Sequence, residues 1–157
     1  LVSDTLATAA ASAARSGVKV AGSAQPGLVA EGDVSLLSRA LWNLVANAIA
    51  HTPAGGRVRV SAAGEPGRVV ITVADGCGGI PEADLPYVFE AGWRGTASRS
   101  PATSNGGGAG LGLAIVVAVA ELFGGSVGVH NTDTGCLFTL SLSGRDEEGV
   151  ERPRRDG

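Results

Sequence analysis

Leu41-Trp42-Asn43-Leu44-Val45-Ala46-Asn47-Ala48-Ile49-Ala50-His51-Thr52-Pro53 is the stretch on which the reading of the fold turns. Val34, Leu37, Leu41, Leu44, Val45 and Ala48 recur at a helical spacing and fall within an arc of about 100°. Residues 34–50 therefore read as an amphipathic helix, with Asp33 as its N-cap. Pro53 and the pair Gly55-Gly56 stop it. Asn43 and Asn47 lie off the apolar arc, one turn apart on the same flank.

Downstream, Val58, Val60 and Ala62 alternate with Arg57, Arg59 and Ser61, a half-exposed strand. Glu65-Pro66-Gly67 is a turn, and Arg68–Ala74 is a more buried strand, so the two predict an antiparallel hairpin. A Gly-rich loop follows at Gly76–Gly79, then a short helix near Glu82–Phe89. Residues 91–109 hold no sustained apolar period, and a loop of that length is usually functional or mobile. Gly110–Phe123 reads as an apolar helix ended by Gly124-Gly125. Val127 and Val129, then Phe138, Leu140 and Leu142, give two closing strands, in which His130 is expected to face solvent.

Upstream, Val2, Leu6, Ala9, Ala10 and Ala13 sit at helical spacing in an Ala-rich segment that Gly17 ends. Val18 and Val20 give a short strand. Pro26-Gly27 is a turn signal, with Leu28–Ala30 as the returning strand. Residues 144–157 are charged and without apolar period, and are expected to be a disordered tail.

The 157 residues suit one domain, and 44% hydrophobic against 17% charged residues can bury a core. The net charge of −3 and the lack of a basic stripe argue against nucleic-acid binding. Apolar runs are too short for a membrane span, and no signal peptide is evident. The chain contains no Met, so it is expected to be a fragment of a longer protein. Cys77 and Cys136 are too few for a disulfide scaffold or the usual four-ligand zinc site, and are expected as free thiols. Glycine stands out at 25 residues, more than twice a usual share of about 7%.

The alternation of Val69, Ile71 and Val73 places Asp75 on the same buried face. An acid there must be paired or it costs several kcal/mol. It reads either as a turn-initiating Asp before Gly76 or as a carboxylate that recognises a ligand N–H. Gly76-Cys77-Gly78-Gly79-Ile80 lets the backbone pass close to a ligand. Gly106-Gly107-Gly108-Ala109-Gly110-Leu111-Gly112-Leu113 runs into a helix, whose N-terminal N–H groups favour phosphate. That cluster lacks the Gly-Lys-[Ser/Thr] ending of a Walker loop and the strand–turn–helix setting of a dinucleotide fold. Asn43 and Asn47 are poor helix formers in a strong helix, and an Asn oxygen is a reasonable Mg²⁺ ligand beside phosphates and water.

Taken in order, these pieces resemble the catalytic ATP-binding domain of bacterial two-component sensor histidine kinases. Residues 41–53 look like the family's asparagine box, and Asp75–Ile80 with Pro81 its first glycine box. Val88-Phe89-Glu90-Ala91-Gly92-Trp93-Arg94 resembles the phenylalanine box, Gly108–Ile115 the second glycine box, and Gly135–Phe138 the final glycine segment. The resemblance covers residues 1–143. It implies the Bergerat fold shared with gyrase B, MutL and the heat-shock chaperones: an α+β two-layer sandwich, a mixed and mostly antiparallel sheet packed on about three helices.

By the same resemblance, Asn47 matches the Mg²⁺-ligating Asn, and Asp75 the Asp that accepts from the exocyclic amine of adenine. Gly79 lies beside the adenine, with Ile80 next to it. Gly108, Gly110 and Gly112 match the phosphate-side glycines, with Leu111 and Leu113 among them, at the end of an ATP lid over residues 92–109. Phe89 and Trp93 match aromatic positions flanking that lid, where core packing is the plainer reading. Arg94 is a candidate phosphate contact, or else simply solvated. Asn43 stands where hydrolytic relatives carry a Glu that activates water, and with Asn47 it forms the implied catalytic pair. His51 matches a position expected at the pocket edge or in packing rather than in catalysis.

Two residues depart from the pattern. Cys77 replaces the first Gly of Asp-x-Gly-x-Gly, which is tolerable if the backbone there needs no positive φ. Ala50 replaces a frequent basic residue, which leaves Arg94 or the lid to meet the phosphates.

Neither histidine lies in a phosphoacceptor motif. The resemblance therefore implies Mg-ATP binding and donation of the γ-phosphoryl to a histidine on a dimerisation domain outside this chain. A response regulator is reached through that domain. The implied setting is the cytoplasmic part of an inner-membrane sensor, with no direct membrane contact. A serine kinase of the anti-sigma-factor type and a non-catalytic ATP-sensing module are the alternatives on the same fold.

Overall fold

The computed structural model describes residues 1–93 and 111–146. Helix α1, Val2–Ser16, ends at Gly17, whose φ of +67° gives the left-handed turn that closes a helix C-terminus. Strands β1, Lys19–Ala24, and β2, Leu28–Ala30, follow. Helix α2 spans Val34–His51, and Asp33 Oδ1 caps it by accepting from the Leu36 N–H at 3.0 Å. Strands β3, Arg57–Glu65, and β4, Arg68–Ala74, precede helix α3, Gly112–Leu122. Strands β5, Ser126–Asn131, and β6, Cys136–Asp146, complete the described order.

The β3–β4 hairpin forms as its alternation predicts, with Glu65 opposite Arg68 and Arg59 opposite Ala74. The other edge of β4 pairs antiparallel with β6, setting Val73 against Phe138. Strand β1 joins the sheet parallel to β3, from Lys19 opposite Arg57 to Ala24 opposite Ala62. The connection between them contains α2, as a parallel pair requires a long crossover. Strand β5 pairs with β6, and the sheet path runs β1-β3-β4-β6-β2. Among the described residues the result is a mixed, mostly antiparallel sheet with three helices, the expected α+β two-layer sandwich.

Three expectations need correction. Leu28–Ala30 does not return along β1; it pairs antiparallel with residues 144–146 at the end of β6. The ordered sheet therefore extends three residues past the expected boundary at 143. Backbone pairing at a strand end needs no apolar period, so the charged sequence there carried no sign of it. The rest of the expected tail, 147–157, lies outside the described residues. The short helix near 82–89 is only a 3₁₀ turn, Leu85–Tyr87, with Pro86 inside it. Proline has no N–H to continue a helical ladder. Val34, expected on the apolar stripe, is exposed in the first turn of α2, ahead of the first buried residue, Leu37.

The core lies between α2 and the sheet. Leu41, Leu44, Val45 and Ala48 of α2 are fully enclosed, with Val58 and Val60 of β3, Val73 of β4, and Phe138, Leu140 and Leu142 of β6. Truncating a leucine such as Leu44 to Ala would cost about 2–5 kcal/mol. Among the described residues, no helix is long and apolar enough to cross a membrane.

Candidate functional site

Strand β4 alternates buried with half-buried positions after an exposed Arg68, and the buried set continues into Asp75, which is 5% exposed. Its Oδ1 accepts from the Cys77 N–H and the Cys136 N–H, both at 3.0 Å. Its own N–H donates to the Cys136 carbonyl at 3.0 Å. The carboxylate is thus fixed by backbone from its own loop and from β6. None of the described residues donates to Oδ2. No described polar side-chain atom is both buried and unpartnered, so Oδ2 retains access to solvent. An ionised carboxylate is an acceptor only, which makes Oδ2 a receptor for a ligand N–H. Gly135 leaves room for this arrangement, because a Cβ there would run into the Asp75 backbone carbonyl.

The loop after Asp75 is tied at both ends. The Gly76 N–H donates to Thr52 Oγ1 at 3.1 Å, and the Thr52 hydroxyl donates to the Ala48 carbonyl at 2.7 Å. Thr52, 6% exposed, therefore joins the end of α2 to the loop. At the other end, the Ile80 N–H donates to Asn131 Oδ1 at 2.8 Å and Asn131 Nδ2 donates to the Ile80 carbonyl at 2.7 Å. Between these anchors, Gly78 and Gly79 have φ of +82° and +103°. No described non-glycine residue has positive φ, so Cys77 sits in an unstrained backbone, the condition under which a side chain is tolerated there.

Cys77 Sγ lies 2.8 Å from Cys136 Sγ and accepts from the Gly79 N–H at 3.3 Å. Both cysteines are free thiols. Burial pushes both upward from the ordinary thiol value of 9.0, and the neighbouring Asp75 carboxylate adds to the shift in each.

The other side of the site is built by α2 and α3. Asn43 and Asn47 are half-buried on α2. Asn43 Nδ2 donates to the carbonyl of Gly112, the first residue of α3, at 3.2 Å. The Asn47 carboxamide takes no partner among the described residues, which leaves its oxygen available to a ligand. From Asn43 to Thr52 the chain advances about 14 Å along the helix axis, so α2 runs from the start of α3 to the Asp75 loop.

His51 is exposed at the end of α2, so core packing is not its role. Phe89 packs edge-on against Phe138, with centroids 6.1 Å apart at 88°, which is the core-packing reading. Trp93 is half-buried, Leu111 is exposed, and Leu113 packs partly against the core. His130 is exposed, as its alternation predicts. Arg94, Gly108, Gly110 and nearly all of the expected lid over 92–109 lie outside the described residues.

Sequence reasoning assigned no role to Thr52, Asn131 or the Cys136 backbone. A buried hydroxyl just past a helix end was a faint sign of Thr52. Backbone donors carry no sign at all.

The family model described as histidine kinase-, DNA gyrase B-, and HSP90-like ATPase matches residues 32–146. The sensor-like histidine kinase SenX3 of Mycobacterium tuberculosis is 38% identical over 160 residues, which cover 98% of this chain and 38% of that protein. The chain thus spans well under half the length of that relative. The mycobacterial sensor histidine kinase MprB superposes with a TM-score of 0.77 at 30% identity, over 92% of this chain and 97% of that structure. Full-length ShkA, solved in complex with AMPPNP, superposes with a TM-score of 0.74 at 27% identity, over 91% of this chain and 29% of that one. With a family model matching residues 32–146 and these sensor kinases as relatives, the chain belongs to the histidine kinase-, DNA gyrase B- and HSP90-like ATPase family, as a catalytic ATP-binding domain of the sensor histidine kinase type.

Proposed function

We propose that this domain binds Mg-ATP between the Asp75 loop and the α2–α3 junction, and donates its γ-phosphoryl to a histidine on a dimerisation domain outside this chain. The observation that carries the reading is the Asp75 carboxylate. One oxygen is held by two backbone amides and the other is left open, which suits an adenine exocyclic amine. Gly79, with no Cβ, lets a planar base approach the loop. The complex of ShkA with AMPPNP supports an adenine nucleotide as the ligand.

At the phosphate end, Asn47 offers the carboxamide oxygen that fits a hard cation bound with phosphates. Mg²⁺ at that place would neutralise phosphate charge. Asn43 orients rather than deprotonates, because an amide has no useful basicity near neutral pH. A neutral imidazole brings its own lone pair and needs no such base. The domain's contribution is positioning for in-line attack. Arg94, Gly108 and Gly110 belong to this proposal as phosphate-side residues, with residues 92–109 as the lid. The relatives' names favour histidine over serine as the acceptor. The wider setting proposed is the cytoplasmic part of a membrane-anchored sensor that reaches a response regulator through its dimerisation domain.

The test mixes the domain, Mg²⁺ and γ-labelled ATP with the dimerisation domain of its parent kinase. Acid-labile label on the partner and none on the domain itself is expected. Acid-stable label on Ser or Thr would overturn the acceptor assignment.

A further inference from the structure

We propose that Cys77 and Cys136 form a reversible disulfide that staples the adenine-side loop to strand β6 and weakens nucleotide binding. The sulfurs are 2.8 Å apart, so bond formation asks them to close by only about 0.8 Å. The backbones are already held together, since both residues donate their N–H to the same Asp75 oxygen. Asp75, Cys77 and Cys136 also place three potential metal ligands within 4.8 Å of one another. Two thiolates on tetrahedral zinc would need to stand about 3.7 Å apart, so the observed contact favours the covalent bond.

Hydrogen peroxide is a sufficient oxidant. Cys77 is the half-buried member of the pair and Cys136 the fully buried one, so Cys77 reacts first. Its thiolate, scarce at neutral pH because burial raises the group, attacks one peroxide oxygen, the O–O bond breaks, and the departing hydroxide leaves as water with the proton the thiol gave up. The Cys136 sulfur then attacks the Cys77 sulfenic sulfur. The S–S bond forms, the S–O bond breaks, and a second water leaves with the Cys136 proton. Two thiols and one peroxide give one disulfide and two waters, and an added dithiol reverses the oxidation.

The consequence for ATP rests on the function proposed above. The loop is pinned at Gly76 by Thr52 and at Ile80 by Asn131. A shift of Cys77 is therefore absorbed at Gly78 and Gly79. It also disturbs the Gly79 N–H bond to the Cys77 sulfur. Binding groups must be held to about 0.5 Å, so displacement of the adenine-side glycine reduces affinity.

The test treats the purified chain with hydrogen peroxide, removes the oxidant, and counts alkylatable thiols in denaturant by intact mass. Both thiols should be lost, with a Cys77–Cys136 peptide recovered after digestion and no intermolecular product. Closing a loop across 59 positions should raise the thermal midpoint by roughly 5–15 °C. Affinity for Mg-ATP should fall by about 3- to 10-fold and recover with dithiothreitol, given that placement tolerance. Cys77→Ser and Cys136→Ala, each alone, should show neither the cross-link nor the oxidant response. Thiols that both remain alkylatable would overturn the proposal. A cross-linked chain with unchanged affinity would overturn the claimed effect on nucleotide. A reduced chain that binds no ATP would instead sink the nucleotide reading, while the thiol count still judges the bond.

Discussion

Asp75→Asn separates recognition of adenine from support of the fold. Asn presents the same shape, and its Oδ1 can still accept from the Cys77 and Cys136 N–H groups now at 3.0 Å. Those two bonds lose their charge assistance, about 1 kcal/mol each, partly offset because a buried charge is also removed. Net destabilisation should not exceed about 2 kcal/mol, or about 8 °C in thermal midpoint for a chain of this size. The open position changes character completely: Nδ2 places a donor where Oδ2 was an acceptor. Losing a charge-assisted bond to the adenine amine costs about 2–3 kcal/mol, which is about 30- to 160-fold in Kd. Inosine triphosphate carries a carbonyl in place of that amine, so the variant's preference for ATP over it should shrink or invert. Calorimetric titration with both nucleotides, alongside a thermal melt, reads all three quantities. A folded variant that binds ATP within twofold of the parent chain would refute the adenine role of Asp75. Asp75→Ala is the poorer probe, because it strips two amides of their acceptor and mixes unfolding with lost recognition.

Thr52→Val keeps the side-chain shape but leaves the Gly76 N–H without its acceptor. It should cost about 1–3 kcal/mol, seen as a lower midpoint in thermal denaturation; an unchanged midpoint would show the tether to be idle. The unmodified chain should hydrolyse ATP slowly. Asn43→Asp should raise phosphate release modestly and lower the midpoint by a few degrees, roughly 1 kcal/mol for the lost bond to Gly112; rapid Mg²⁺-dependent turnover by the unmodified chain contradicts this role for Asn43. Both buried thiols are raised above their ordinary value of 9.0, so the unfolded chain ionises first. The thiol contribution to stability is then complete below pH 9.0 and lost as pH climbs through the folded values. Melts from pH 7 upward should show the reduced chain losing stability above pH 9 more steeply than a Cys77→Ala/Cys136→Ala double variant, and parallel curves would disprove the linkage.

The parts legible in the sequence were those with a strong period. Alternation in β3 and β4 gave the hairpin and put Asp75 on the buried face. The spacing from Leu37 to Ala48 gave α2 and its core side. Partner choice was not legible for weak strands. Val18 and Val20 say that a strand exists, but not that it lies parallel to β3. Leu28–Ala30 is too short to declare its pairing with residues 144–146. Pro86 was the neglected sign that residues 82–89 could not sustain a helix. In the site, side-chain identities pointed to Asp75 and the Asn pair. The supports of Asp75 are mostly backbone amides, which are the same in every sequence, and Asn131 is an ordinary residue at a strand end.

Because the carboxylate of Asp75 is gripped by main-chain amides, its posture is indifferent to which side chains occupy positions 77 and 136. The backbone at Cys77 has no positive φ, so an L-residue is admitted there without strain. In the proposed adenine site, the hold on Asp75 is thereby uncoupled from side-chain identity at positions 77 and 136. Such positions are open to drift: mutation can try new chemistry against the ligand without first dismantling the group that reads it. A thiol at position 77 is one chemistry that such a position admits, and the thiol at position 136 gives it something to react with.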